Sequence, residues 1–212
     1  MKIFIVGATG RVATSLIENL VSDGHQIIAG SRHPEKVSVN SQVKSVMLDL
    51  HKDVNDLARI IGTVDVIYFT AGSRGKDLLQ TDAYGAVKVM EVAKMNNISR
   101  FIMLSSIFAL EPEKWNEEGL KNIPDYNIAK FFADNYLVNN TNLDYTIVQA
   151  TNLVEEKGSH RITIDNGKIA HNSIENVALT LSEILKFNNT NKKVIKIRDG
   201  ETTIAEALKN IK

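Results

Sequence analysis

The 212-residue sequence has no cysteine. Disulfides, zinc thiolates, iron–sulfur clusters and a thiol nucleophile are excluded, and a reducing compartment fits. Proline occurs three times, at Pro34, Pro112 and Pro124, so no proline-rich linker divides the chain. Neither sign of charge is in excess, with 25 Lys+Arg against 25 Asp+Glu. That leaves no basic footprint for nucleic acid and no acidic tail. No apolar run approaches the ~20 residues of a membrane span. Near the start, Lys2 precedes only Ile3–Val6 before Gly7 breaks the run, which is short for a secretion signal. The expected location is the cytoplasm, with no membrane or nucleic-acid partner. The five histidines, His25, His33, His51, His160 and His171, include no i,i+4 pair, so no metal site is expected.

What the chain does have is alternation. Apolar runs at Lys2–Val6, Gln26–Ala29, Val43–Leu48, Val64–Thr70, Arg100–Leu104 and Asp144–Gln149 are rich in Val, Ile, Phe and Tyr and predict strands. Their near-continuous hydrophobicity suits a parallel sheet covered on both faces. Stretches with helical spacing lie between them at Arg11–Ser22, Val54–Ile61, Asp82–Met95 and Tyr126–Val138. This order predicts an α/β fold, a doubly wound, mostly parallel Rossmann-like sheet. After Gln149 the pattern loosens. Ile162–Ile164 and Lys168–Ile169 flank Asn166-Gly167, a hairpin signal. A helix (Ile174–Leu185), a strand (Val194–Ile197) and a last helix (Thr203–Ile211) follow, with solvated turns expected at Glu155–Lys157 and Asn188–Lys193. Residues 1–212 are expected to form one domain, with 1–152 as core and 153–212 as a small substrate-side C-terminal appendix.

The first strand runs into Gly7-Ala8-Thr9-Gly10-Arg11-Val12-Ala13 and then a helix. Strand, glycine turn and helix make the context a dinucleotide pyrophosphate requires, because unpaired amides and the helix dipole favour an anion there. Gly7, Thr9, Gly10, Arg11 and Val12 are the candidate contacts. Ala13 stands at the third small position and still permits close helix packing. Strand 2 ends in Gly30-Ser31-Arg32-His33 with no acid for a ribose diol. The Arg32 fork suits a 2′-phosphate, so Ser31 and Arg32 favour NADP(H), with NAD(H) allowed.

Two Tyr-x-x-x-Lys matches occur, Tyr84…Lys88 and Tyr126…Lys130. Either spacing puts both side chains on one helix face, and an adjacent ammonium favours the tyrosinate that acid/base chemistry needs. Position separates them. Tyr126 follows strand 5, which ends in Ser105-Ser106, and strand carboxyl ends are where open α/β sheets bind ligands.

Together, Gly7-Ala8-Thr9-Gly10, Thr70-Ala71-Gly72, Ser105-Ser106, Tyr126-x-x-x-Lys130 and Asp144-Tyr145-Thr146-Ile147-Val148 resemble the short-chain dehydrogenase/reductase superfamily. The closer resemblance is to its atypical branch of small NAD(P)-binding, epimerase/dehydratase-like proteins. The resemblance implies that Asp49 and Leu50 line the adenine pocket and that Thr70, Ala71 and Gly72 pass beneath the ribose. It implies that Ser105 orients a carbonyl, Tyr126 exchanges the proton and Lys130 holds the nicotinamide ribose. Ala150, Thr151 and Asn152 would flank the nicotinamide, although Gln149-Ala150-Thr151 departs from the Arg-Pro-Gly common in relatives. Two readings of the charged segment Glu111–Lys121 stay open, a substrate lid or a surface excursion anchored by Trp115. The expected activity is NADP(H)-dependent oxidoreduction of a small carbonyl or alcohol, with a redox-sensing binder and an epimerase as alternatives. Monomer and homodimer are both open.

Overall fold

Residues 1–164 and 168–212 are described by the computed structural model. The chain begins β1 (Lys2–Val6), α1 (Arg11–Ser22), β2 (Gln26–Ser31), β3 (Val43–Met47), α2 (Val54–Ile61) and β4 (Val66–Phe69). A π-helical turn at Leu78–Ala83 leads into α3 (Tyr84–Met95), followed by β5 (Arg100–Ser106), α4 (Pro124–Asn140) and β6 (Asp144–Ala150). The rest is β7 (Asn152–Val154), β8 (Arg161–Ile164), β9 (His171–Ser173), α5 (Ile174–Glu183), β10 (Lys193–Asp199), β11 (Thr202–Thr203) and α6 (Ile204–Lys209).

One nine-stranded sheet has the order β11-β8-β10-β6-β5-β4-β1-β2-β3. From β10 to β3 every pairing is parallel, and β8 and β11 add antiparallel pairings at the far edge. The doubly wound α/β reading is therefore correct. Alternation along β1 shows why both faces are covered. Ile3 and Ile5 enter the core beneath α1 and α5, whereas Phe4 and Val6 enter the one beneath α2, α3 and α4. Strand order reverses at β1, between β2 and β4, which opens the crevice that parallel α/β sheets use for ligands.

Residues 153–212 mostly extend this sheet. β10 lies beside β6 as a further parallel strand, and α5 shares a core with α1. The tail reaches the crevice through Leu153, Glu155 and Ile169. Of the expected hairpin, the Asn166-Gly167 turn lies outside the described residues, and Lys168–Ile169 are not in a strand. β8 instead pairs with β10 and β11. The expected solvated turn at Asn188–Lys193 needs correction. Thr190 is fully buried, and its carbonyl and hydroxyl accept from Thr146 and Arg100. Among the described residues no helix is long and apolar enough to cross a membrane.

A buried bond ties α5 to the centre of the sheet. Tyr68 of β4 is fully buried and donates its hydroxyl to the Leu181 carbonyl at 2.9 Å. Burial pushes its phenol far above the usual range, so it stays a neutral donor. Tyr68→Phe keeps the ring and orphans the carbonyl. The expected loss is about 1–3 kcal/mol of unfolding free energy in urea titration. An unchanged midpoint would show that this bond does not hold α5 in place.

Candidate functional site

Two cavities open along the carboxyl ends of β1, β4, β5 and β6, separated by Gly10 and the Thr70-Ala71-Gly72 run, which lines both. That shared wall depends on Gly7. Its φ is +85°, and a Cβ there would lie 2.6 Å from the Ala71 Cα. Only glycine lets the β1 turn lie against the β4 end at this distance. Beyond it, α1 begins at Gly10 with no side-chain cap and no acid in its first turn. Its first amides therefore keep their capacity for an anion.

The first cavity, about 260 Å³, lies on the β2 side. Gly7, Thr9 and Gly10 form one wall and Ser31 and Arg32 another, with Leu48 and Leu50 on a third. Thr9 and Ser31 hydroxyls sit 3.0 Å apart, and Ser31 Oγ also accepts the His33 amide. These bonds order the end of β2 and leave the Arg32 side chain exposed at the rim. Gly30 lets Phe4 and Leu48 meet across the strand, since a Cβ would lie 2.7 Å from the Phe4 ring. Asp49 is not among the residues that line this cavity. Its carboxyl accepts from the His51 amide at 3.0 Å, and Leu48 takes its place in the wall.

Lys88 buttresses this wall. It is buried and donates to the carbonyls of Leu50 and Lys52. Burial lowers its pKa from the ordinary lysine value, opposed by Asp49 and Asp53. Neither Tyr84 nor Lys88 lines either cavity, so the first Tyr-x-x-x-Lys match is structural.

The second cavity, about 380 Å³, gathers Arg11, Val12, Ser105, Ser106, Tyr126, Lys130, Ala150, Thr151 and Asn152. Strand β5 delivers the two serines. Helix α4 starts with Pro124 and carries Asp125 in its first turn, which suits its N-terminus. Tyr126 is thereby fixed at the cavity mouth, with the Lys130 ammonium 5.6 Å from its ring centroid. Thr151 is pinned by Asn172, whose Oδ1 accepts from its amide and hydroxyl at 2.9 and 2.8 Å. Arg11 reaches across to Glu155 at 2.9 Å, both side chains being substantially exposed. The Glu111–Lys121 segment ends in wall: Gly119 and Leu120, with Ile123 just beyond, line the cavity together with Leu153 and Ile169, and Ile169 packs against Leu120. Trp115 anchors it edge-on to Phe131, with rings 6.0 Å apart, and donates to the Phe108 carbonyl.

Behind the cavity lie buried polar groups that the motifs did not single out. Lys130 is 3.7 Å from Asp82, a fully buried acid on the π-helical turn. Burial acts against the Lys130 charge, but Tyr126, Asp82 and Asp134 together hold its pKa above the ordinary lysine value. Asp82 also accepts the Ser73 amide at 2.9 Å, joining Lys130 to the loop after β4. Asp134, one turn beyond Lys130, accepts from Ser105 Oγ at 2.7 Å and from Gln149 Nε2 at 2.9 Å. Burial raises its pKa to about 6 against those bonds and against Lys130. The spacing Tyr126-x-x-x-Lys130-x-x-x-Asp134 was the sequence signal for it.

The site fits a dinucleotide by its own geometry: an uncapped helix start, a glycine turn pressed on the next strand end, and a cavity on either side. Comparison with known proteins agrees. Residues 7–188 match the NAD(P)H-binding family. A Bacillus subtilis protein named "Uncharacterized sugar epimerase YhfK" is 33% identical over the whole of both chains. The crystal structure of the oxidoreductase ylbE from Lactococcus lactis is 44% identical, covers 100% of this chain and 96% of its own, and superposes with a TM-score of 0.96. A candidate NAD-dependent epimerase/dehydratase from Bacillus halodurans is 28% identical over 98% of each chain, with a TM-score of 0.88. The chain belongs to the NAD(P)H-binding family and carries its nucleotide-binding motif on a doubly wound, Rossmann-like sheet.

Proposed function

We propose that this protein is an NADP(H)-dependent oxidoreductase acting on a small carbonyl or alcohol. The observation that carries the reading is convergence. Ser105, Ser106, Tyr126 and Lys130 line the same cavity as Gly10, Arg11 and Gly72, which face the dinucleotide path. When bound, the nicotinamide supplies or accepts hydride. The chain's own residues do the rest. Tyr126 gives a proton to the carbonyl oxygen, or takes one from the alcohol. Lys130, anchored by Asp82, keeps a positive charge beside the phenol and holds the ribose. The serines at the end of β5 orient the substrate oxygen. Thr151 and Asn152 border the nicotinamide ring.

Wall chemistry supports a small, uncharged substrate. Leu120, Ile123, Leu153 and Ile169 face the cavity. Its charged lining is Arg11, Arg74 and Lys130, all cations, and in this reading Arg11 and Lys130 serve the cofactor's phosphates and ribose. This lining favours a compact apolar carbonyl over a sugar nucleotide. Arg32, exposed at the rim of the first cavity, supports NADP(H) over NAD(H), because a guanidinium pairs bidentately with a phosphate.

Two substitutions test the reading. Tyr126→Phe is expected to lower NADPH consumption over a carbonyl panel by roughly 100-fold or more, while the Kd for NADPH by fluorescence titration moves by less than about threefold. A wild type that binds NADPH yet oxidises it with no carbonyl in the panel would sink the oxidoreductase reading in favour of a binding protein. For the coenzyme, Arg32→Asp should weaken NADPH by about 10- to 100-fold more than NADH, the worth of a charge-assisted contact. Equal weakening of the two would remove the 2′-phosphate role from Arg32.

A further inference from the structure

We propose that Asp134 is the positioning residue for Ser105: as a carboxylate it draws the Ser105 hydrogen away from the cavity, and only as a carboxylic acid does it free that hydrogen for a substrate oxygen. The second half of this statement rests on the oxidoreductase reading; the pairing of the two groups does not. A serine hydroxyl has one hydrogen. Here it points to Asp134 Oδ1 at 2.7 Å. Ser105 lines the cavity, but with its hydrogen so engaged it offers only lone pairs there. A ketone oxygen, which can only accept, gains nothing from it. A protonated Asp134 donates to Ser105 Oγ instead, and the Ser105 O–H then turns outward. The Asp134 proton comes from solvent and is not consumed, because Ser105 supplies a hydrogen bond and Tyr126 supplies the proton.

Burial and neighbours make both states accessible. Asp134 is fully buried, and its other oxygen meets Gln149 Nε2, a neutral donor. Gln149 is itself fully buried, and its Oε1 has no hydrogen-bond partner. The charged groups around this part of α4 are otherwise engaged. On α4 itself the Lys130 ammonium pairs with Asp82 of the π-helical turn, and Tyr126 sits at the mouth. On α3, Glu91 is held by Tyr136 and Lys94, and Lys88 by the Leu50 and Lys52 carbonyls. Strands β5 and β6 present only neutral Ser105 and Gln149. Burial therefore dominates and lifts the Asp134 pKa to about 6. The acid prevails below that pH and the carboxylate above it.

The test uses the full chain saturated with NADP+, with ¹³C-labelled aspartate followed by NMR from pH 4.5 to 8. A resonance lost in Asp134→Asn is expected to titrate near pH 6. Ser105→Ala removes a bond that favours the carboxylate, so its midpoint should rise by about one pH unit. A carboxyl that stays ionised throughout, or a midpoint that ignores Ser105→Ala, overturns the pairing. A second arm uses NADPH and cyclohexanone. In the wild type kcat/KM should fall about tenfold per pH unit above 6, and Asp134→Asn, which donates an amide hydrogen to Ser105, should remove that fall. Turnover with the same pH profile in both proteins overturns the control of Ser105. A coupled titration without turnover of any carbonyl leaves the pairing standing and removes the oxidoreductase reading instead.

Discussion

Everything at this site follows from how closely the turn after β1 lies against the end of β4. At 2.6 Å from the Ala71 Cα there is no space for a Cβ on Gly7. The same residue needs φ +85° to send the chain back into α1. Remove that contact and the two cavities lose their common wall. The α1 amides would no longer sit over the point where strand order reverses. The apolar strands on both faces supply the force that presses these backbones together, because Ile3, Phe4, Ile5 and Val6 are all buried and alternate between two cores. Packing energy spread along the sheet is thus focused on one backbone contact, which sets the uncapped start of α1 at the wall between the two cavities.

The two Tyr-x-x-x-Lys pairs show how the same local pattern acquires different uses. In α3 the Lys88 ammonium turns to main-chain carbonyls of the loop after β3, and Tyr84 is exposed. In α4 the Lys130 ammonium turns to a buried acid beside an open cavity. A lysine spent on carbonyls fixes a wall; a lysine beside a phenol and a carboxyl keeps its charge at the edge of an open cavity. Helix spacing alone cannot separate these outcomes, because i,i+4 placement is identical in both. What separates them is which strand end each helix faces.

Much of the fold was legible because burial on both faces forces simple patterns. The bounds of β1, α1 and α2 were read correctly, since glycine or a capping acid ends each run sharply. Strand β2 extends past Ala29 to Ser31, and Gly30 hid this: it reads as a turn former yet serves to let Phe4 and Leu48 meet. The π-helical turn at Leu78–Ala83 was not legible, because a bulged turn has no periodicity of its own. Nor was burial of Thr190, whose polar neighbours Asn188 to Lys193 resemble any surface loop; its partners Arg100 and Thr146 lie far away in sequence. Most candidate site residues do line one of the two cavities. Asp49 does not; its carboxyl accepts the His51 amide at the start of the next loop.

The groups behind Ser105 and Lys130 raise an electrostatic question that motif reading does not reach. One ammonium and two buried carboxyl groups share a small volume. A single cation cannot compensate both acids, so they divide by geometry. Asp82 lies 3.7 Å from the Lys130 nitrogen, while Asp134 contacts only a hydroxyl and an amide. Neutral donors stabilise a carboxylate less than a cation does. On the sheet side Gln149 is the neutral group that meets Asp134, whereas a cation in its place would hold the acid ionised. Gln149 supplies no charge, and burial outweighs the remaining bonds, lifting the Asp134 pKa to about 6. A neutral residue near the end of β6 thus governs the acid behind Ser105, one layer beneath the cavity wall.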